Sequence, residues 1–317
     1  YDGLMRVPRM GFVVALGGAA LAACSGGMTG DGHSVEPPVD SGTSATASID
    51  GAAVSQFRRV RGIAPQTRPP GYDAASQNAG CVRCHVDIAR EWEGSLHRSA
   101  WDDPLFLAAY AVEPIAFCRN CHAPEASRAD DAERHLGVAC VTCHVPHADI
   151  VATRPSPGTA DGHPVVGDGA MATEAWCARC HEFAFPAPQA ALMQSTISEH
   201  AASSKRDKTC QDCHMPRVDG DGHRNHGFHV HGDAELLRSA IEVTSVKVRG
   251  ARHLDIDLRV KGAGHAVPTG DMFRRLVVRG QAADGNSADP RVLGREFRRH
   301  EGPAGRQRLQ TADERLP

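Results

Sequence analysis

Aromatic side chains are scarce in this chain, at 5% of 317 residues. A chain of that length would normally fill part of its core with such rings, so some other apolar surface is needed inside it. Charge of one sign is lacking as well. The formal net charge is −3 and no basic stripe appears, which excludes the electrostatic footprint of a nucleic-acid binder. Long apolar runs are missing except between Gly11 and Ala23, and that run is shorter than the roughly 20 residues of a membrane-spanning helix. Residues 25–72 contain almost no large apolar side chains and are rich in Gly, Ser, Thr, Pro and Ala. Such a segment cannot offset its own ordering entropy, so residues 24–72 are expected to be a flexible tether, with His33 simply solvated.

Cysteine and histidine are plentiful by contrast, with 11 and 18 copies. Cys-x-x-Cys-His occurs five times: Cys81/Cys84/His85, Cys118/Cys121/His122, Cys140/Cys143/His144, Cys177/Cys180/His181 and Cys210/Cys213/His214. Chance at this composition would give roughly 0.02 such motifs. Zinc sites would need pairs of Cys-x-x-Cys, and five is odd. A thioredoxin-type motif would be single and sit in a βαβ pattern, which is not found here. A disulfide framework gives no reason for a histidine after every second cysteine. Covalent c-type haem uses all three residues, as two thioethers and an axial nitrogen. Five haems are therefore expected. The ring surface they supply would also account for the shortage of aromatic side chains.

Successive motifs start 37, 22, 37 and 33 residues apart. So little chain per cofactor implies closely packed rings, and closely packed rings pass electrons from one to the next. The surrounding sequence predicts short helices and loops. One helix is expected from Asp87 onward and another from Pro104 to Tyr110, with proline in its first turn. Frequent prolines punctuate the rest.

If each iron takes a second histidine, five are needed from the 13 outside the motifs. His97, His147, His163, His226, His229 and His265 are the candidates, with His223 and His231 as alternatives in the same cluster. His135 and His200 fit surface positions better. Which histidine serves which haem is not readable from spacing.

The compartment is consistent with haem attachment. Arg6 and Arg9 precede the apolar run, giving the layout of a secretory signal in residues 1–23. Leu21-Ala22-Ala23-Cys24 resembles the bacterial lipobox, in which Cys24 would carry a lipid. The expected place is therefore outside the cytoplasm, anchored at the outer membrane on its periplasmic or cell-surface side.

Three segments carry a resemblance to a known group. Cys81-Val-Arg-Cys-His85 followed by Glu91-Trp-Glu-Gly-Ser-Leu-His97 resembles the opening of the cytochrome c-554 type of multihaem cytochrome. Gly137-Val-Ala-Cys-Val-Thr-Cys-His144 and Cys210-Gln-Asp-Cys-His-Met-Pro216 are similar to later haem segments of that superfamily. The resemblance implies a mostly helical, irregular fold organised by stacked haem pairs over residues 73–232. It also implies distal-ligand roles for His97 and His147. Five motifs stand here where the tetrahaem pattern has four.

Residues 233–317 read differently. Ala234 to Ala240 is expected to be a short helix capped by Asp233. Ile241 to Val248, Leu254 to Val260 and Arg274 to Arg279 alternate as half-buried strands do. A β-sandwich-like domain follows, incomplete at three strands, because the charged stretch after Arg279 offers no closing strand. Gly264-His265-Ala-Val-Pro268-Thr-Gly270 resembles a turn found in β-domains that follow multihaem regions, where His265 would either ligate a haem or hold the turn. Electron transfer between unidentified redox partner proteins is the function this pattern favours. A haem enzyme with one open iron acting on nitrite, nitric oxide or hydroxylamine is the alternative, and no Cys-x-x-Cys-Lys motif favours it. A β-domain that docks or self-assembles at the cell surface is a third reading.

Overall fold

The computed structural model describes residues 68–317, except 129–130, 159–161, 185–191, 219–221, 229, 231–232, 250–252, 282–288 and 303–304. The expected signal segment, Cys24 and most of the tether lie outside the described residues, as does His229. No helix among the described residues is long and apolar enough to cross a membrane.

Short helices carry the motifs. Residues i, i+3 and i+4 share one face of a helix, so Cys-x-x-Cys-His is naturally the last turn of one. Helix α1 (Ala74–Cys84) opens with Asp73, whose carboxylate accepts from the Ser76 N–H at 2.8 Å, and ends at His85. Helix α2 (Val86–Glu93) follows directly, and α3 (Pro104–Val112) starts with Asp103 accepting from Phe106 N–H. Then come α4 (Arg119–His122) and α5 (Cys140–His144), two single turns that are almost entirely motif. The two-residue strands β1 (Val151–Ala152) and β2 (Val166–Gly167) pair in parallel before α6 (Glu174–His181). Strands β3 (Glu182–Ala184) and β4 (Leu192–Ser195) pair antiparallel and lead into α7 (Thr196–Ala202) and α8 (Cys210–His214).

The core of this region is small. Trp92, Ala74, Ala139, Val141 and Val145 form one cluster, and Trp101, Ala123 and Ala126 another. Polar contacts fix the first. Trp92 Nε1 donates to Val138 O at 2.8 Å, and Arg68 pairs with the enclosed Glu125 carboxylate at 2.7 Å. Glu125 in turn accepts from the Thr142 hydroxyl at 2.9 Å. Gly137 has φ +59°, and a Cβ there would lie 2.3 Å from His97 O. Only glycine lets this strand of chain close on the carbonyl of His97, to which Val138 N–H then donates at 2.8 Å.

Helix α9 (Ala234–Ala240) is capped by Asp233, which accepts from Glu235 and Leu236 N–H. Beyond it β5 (Ile241–Arg249) pairs antiparallel with β6 (His253–Val260). A separate sheet has the order β7 (Arg275–Val278), β8 (Arg291–Gly302), β9 (Gly305–Asp313), all antiparallel. The charged stretch after Arg279 thus holds two long strands where none was expected. Ladder hydrogen bonds form whatever the side chains are, and Arg-rich strands need no apolar alternation when little of them is buried.

Candidate functional site

None of the ten motif cysteines is paired in a disulfide. Their helices bring thiols of different motifs side by side. The Cys177 thiol is within hydrogen-bonding reach of Cys210, and Cys180 within reach of Cys121. Burial, followed by Cys180 nearby, pushes the Cys143 thiol up to about 11, and burial with Cys81 nearby does the same for Cys140. The first motif therefore adjoins the third and the third adjoins the fourth. The fourth adjoins both the second and the fifth. Raised values keep the Cys140 and Cys143 thiols protonated at neutral pH, unlike the thiolates of redox-active Cys-x-x-Cys sites.

Cys213 differs from most of the motif thiols. It is exposed, as is Cys84, whereas the other eight motif cysteines are half-buried. The reason lies in the single turn of α8. Gln211 is turned inward, where its amide donates to Met171 O at 2.6 Å. A residue two positions on projects from nearly the opposite side of a helix, so Cys213 is left outward. A thioether formed at Cys213 would therefore hold a ring edge next to solvent, and Cys210 would hold the enclosed edge.

Four motif histidines each face a second histidine. The ring centres of His85 and His163 are 6.2 Å apart, those of His181 and His97 6.3 Å, His144 and His226 6.2 Å, and His214 and His265 6.1 Å. Their interplanar angles scatter over 64°, 48°, 34° and 9°. Ring pairs that include Phe, Trp or Tyr spread instead from 3.7 to 5.9 Å. A nitrogen ligates a metal ion at about 2 Å and sits about 1.1 Å from its ring centre, so two imidazoles on opposite sides of one ion have centres roughly 6.2 Å apart. Rotation about that axis is free, so the angle can vary while the distance cannot. Direct ring packing has no reason to hold the distance and release the angle.

The tautomers agree with ligation. Nδ1 of His144 lies 2.8 Å from Val151 O, that of His226 2.6 Å from Arg224 O, and that of His265 3.0 Å from Ala266 O. Nδ1 of His122 lies 2.7 Å from Ala100 O. An Nδ1–H donated to a carbonyl leaves the Nε2 lone pair for a metal. Desolvation lowers the pKa of His122, His144, His181, His226 and His265, so the neutral, ligating form prevails. His97 is pushed down to about 3, by burial first and then by His181, His214 and His226. Its Nδ1 is enclosed with no hydrogen-bond partner among the described residues.

His122 differs. Its ring stacks on Phe106 at 3.7 Å and 11°, and no histidine ring is paired with it among the described residues. Burial lowers its pKa, opposed first by the Ala100 carbonyl and then by Asp271 and Asp103, while Arg274 lowers it further. Of the other candidates, His147 is exposed and has no ring partner among the described residues. His223 Nε2 lies 2.9 Å from the Glu91 carboxylate, which also accepts from the His226 N–H at 2.9 Å. His135 is paired with Asp102, and the ring of His200 packs under Gly264. Among the described residues no three His, Cys, Asp or Glu side chains gather around one point as zinc ligands would.

The thiol pairs, the fixed ring spacing and the enclosed polar atom of His97 fit covalently held haem. Sequence reasoning missed the supporting residues Glu91, Phe106 and Phe228, the last with its ring centre 4.1 Å from that of His97. Nothing in their local sequence marks them, because each acts across long separations.

No family model matches this sequence, and no curated protein is found to be similar to it. Among solved structures, the fold is similar to that of a penta-haem cytochrome c552 from Thermochromatium tepidum, with 20% identity and a TM-score of 0.57 over 77% of this chain and 84% of that one. The architecture of this chain is therefore one that a multihaem c-type cytochrome also adopts.

Proposed function

We propose that this chain holds five c-type haems and serves as an electron-transfer protein. The observation that carries the reading is the common 6.1–6.3 Å spacing of four motif histidines from four histidines elsewhere in the chain. A bound haem iron would take up and release one electron at a time. The protein's part is positioning. Cys81/Cys84, Cys118/Cys121, Cys140/Cys143, Cys177/Cys180 and Cys210/Cys213 would form the thioethers, with the histidine of each motif on one axial side. His163, His97, His226 and His265 would close the other side at the first, fourth, third and fifth motifs. Filling both axial positions excludes substrate and leaves the oxidation state as the variable. Adjacent thiols of the first, third, fourth and fifth motifs support a continuous series of attachment sites, with the second joining at the fourth. The exposed Cys84 and Cys213, in the first and fifth motifs, lie at the two ends of that series.

The test is a haem count by alkaline pyridine spectrum and intact mass, repeated after Cys→Ala changes in each motif. Five haems, each lost with its own motif, would support the reading. A thiol-bound zinc or a set of disulfides in the mature protein would overturn it.

His122 favours a second reading at one centre, since no histidine faces it among the described residues. An open iron there could meet a small nitrogen compound such as nitrite, nitric oxide or hydroxylamine. Addition of nitric oxide or nitrite should then shift a high-spin signal that Cys118→Ala/Cys121→Ala removes. We further propose export, lipid attachment at Cys24 and exchange with redox partner proteins at the outer membrane. A Cys24→Ser chain released in soluble form would support the anchor, and an unchanged membrane fraction would contradict it.

A further inference from the structure

His265 comes from the strand-bearing half of the chain, and its turn is held by a short segment far along the sequence. Gly264 packs so closely on α7 that a Cβ would meet His200 Cδ2 and Lys205 Cβ, each at 3.0 Å. The Thr269 hydroxyl, at the other end of the turn, donates to Glu199 on α7 at 2.6 Å. Glu199 also accepts from the Ser195 hydroxyl at 2.6 Å and from the Arg315 guanidinium. Arg315 is itself fixed by Asp313 at 2.8 Å. Between these ends, Val267 N–H donates to Leu316 O at 2.8 Å and Leu316 N–H to Val267 O at 3.0 Å. Arg295, at 3% exposure, donates to Gly270 O and to the β4 carbonyl of Leu192 at 2.6 and 3.0 Å.

A surface ornament would need none of this. Buried guanidinium groups are retained only where several acceptors meet them, and here Arg295 donates to Gly270 O at the end of the 264–270 turn while Arg315 donates to Glu199, the carboxylate that also receives Thr269 of that turn. His214, Glu199 and His200 act electrostatically on His265, so the carboxylate that receives Arg315 also bears on the imidazole.

We propose that the segment 313–316 is a clamp on the His265 turn, with Arg315 as a positioning residue that keeps His265 opposite His214. The inference rests on the reading that these two histidines flank one haem iron. Removing the clamp frees the turn, lets His265 swing away and leaves the fifth motif's iron with His214 alone. The strand region thereby sets the ligation of a haem attached to the other half of the chain.

The experiment compares His265→Ala, Arg315→Ala, Arg315→Lys and Thr269→Val in the full haem-loaded chain, by electron paramagnetic resonance of the oxidised protein with haem counted per chain. His265→Ala should convert one low-spin haem of the five to another spin state. Arg315→Ala should convert about half of that one haem, with Arg315→Lys restoring part of it. Thr269→Val should act in the same direction more weakly, and it stays informative if Arg315→Ala cannot be loaded. The other haem signals should be unchanged throughout. A spectral change with His265→Ala, but none with Arg315→Ala and Thr269→Val, would overturn the clamp and leave the pairing of His214 with His265 standing. No change with His265→Ala would overturn that pairing and the clamp with it.

Discussion

From Arg68 to His226 the commonest buried apolar residue is alanine, joined by Trp92, Trp101, Phe183 and a few aliphatic side chains. From Ile241 to Leu316 only Ala266 and Leu276 are buried among the described apolar residues. Both halves are short of core, and they make up the shortage differently. The first leaves histidine rings at a fixed separation and cysteines side by side, so under the proposed function haem would supply its missing apolar mass. The second relies on ladder hydrogen bonds and on Arg295 and Arg315, whose donors reach main-chain carbonyls and the Glu199 carboxylate. A core that depends on an added group is lost when the group is withheld, whereas a hydrogen-bonded sheet is not.

The sharpest way to break that comparison is to withhold haem. A chain made without haem attachment should lose amide protection throughout residues 73–226 and keep part of it in β5, β6 and the β7–β9 sheet. Equal protection in both halves would erase the distinction.

Next in size is Trp92→Ala, which removes the largest ring of the first cluster together with its hydrogen bond to Val138. A loss of about 3–5 kcal/mol is expected in denaturant unfolding of the haem-loaded chain. Gly137→Ala should be of similar severity, since its Cβ would overlap the carbonyl of His97. It should also convert one low-spin haem, because His97 is what that contact holds.

Glu182 is 1% exposed and accepts from the Ile197 N–H at 3.0 Å at the start of α7. Glu182→Ala strands those donors and should cost about 1–3 kcal/mol, with a smaller loss for Glu182→Gln. Protease cutting near α7 should rise in step.

The smallest effect is with acid. Ser195, Thr269 and Arg315 hold the Glu199 carboxyl below its ordinary value against the opposing pull of burial, and Arg315 does the same for Asp313. A depressed carboxylate contributes stability that is present above its unfolded pKa and is lost as pH falls through the folded value. The strand region should therefore loosen only below about pH 4. Arg315→Ala should remove that acid step, as followed by hydrogen exchange at β9.

How much of this the sequence carried depends on range. The motif turns, the helix capped by Asp103 and the helix capped by Asp233 are local events, set by residues within one helical turn, and each could be read directly. The histidine pairings are not local. His97 lies 84 positions from His181 and His144 lies 82 from His226, so composition offered a candidate set without the matches. The outward turn of Cys213 was equally hidden, because it follows from Gln211 finding the distant carbonyl of Met171. The hairpin of β8 and β9 escaped for another reason. Arg-Glu-Phe-Arg-Arg-His-Glu has no apolar alternation, and its register, with Arg298 opposite Leu309, is fixed by main-chain pairing. The clamp was invisible because Arg315 gains its role only where Glu199 and Thr269 meet it.

The measurement that bears most directly on the central claim is the electron paramagnetic resonance spectrum of the oxidised mature protein, taken with a haem count. The expected result is five haems per chain, at least four of them low-spin with two imidazole ligands. A chain with no covalent haem would contradict the account, and so would fewer than four bis-imidazole centres.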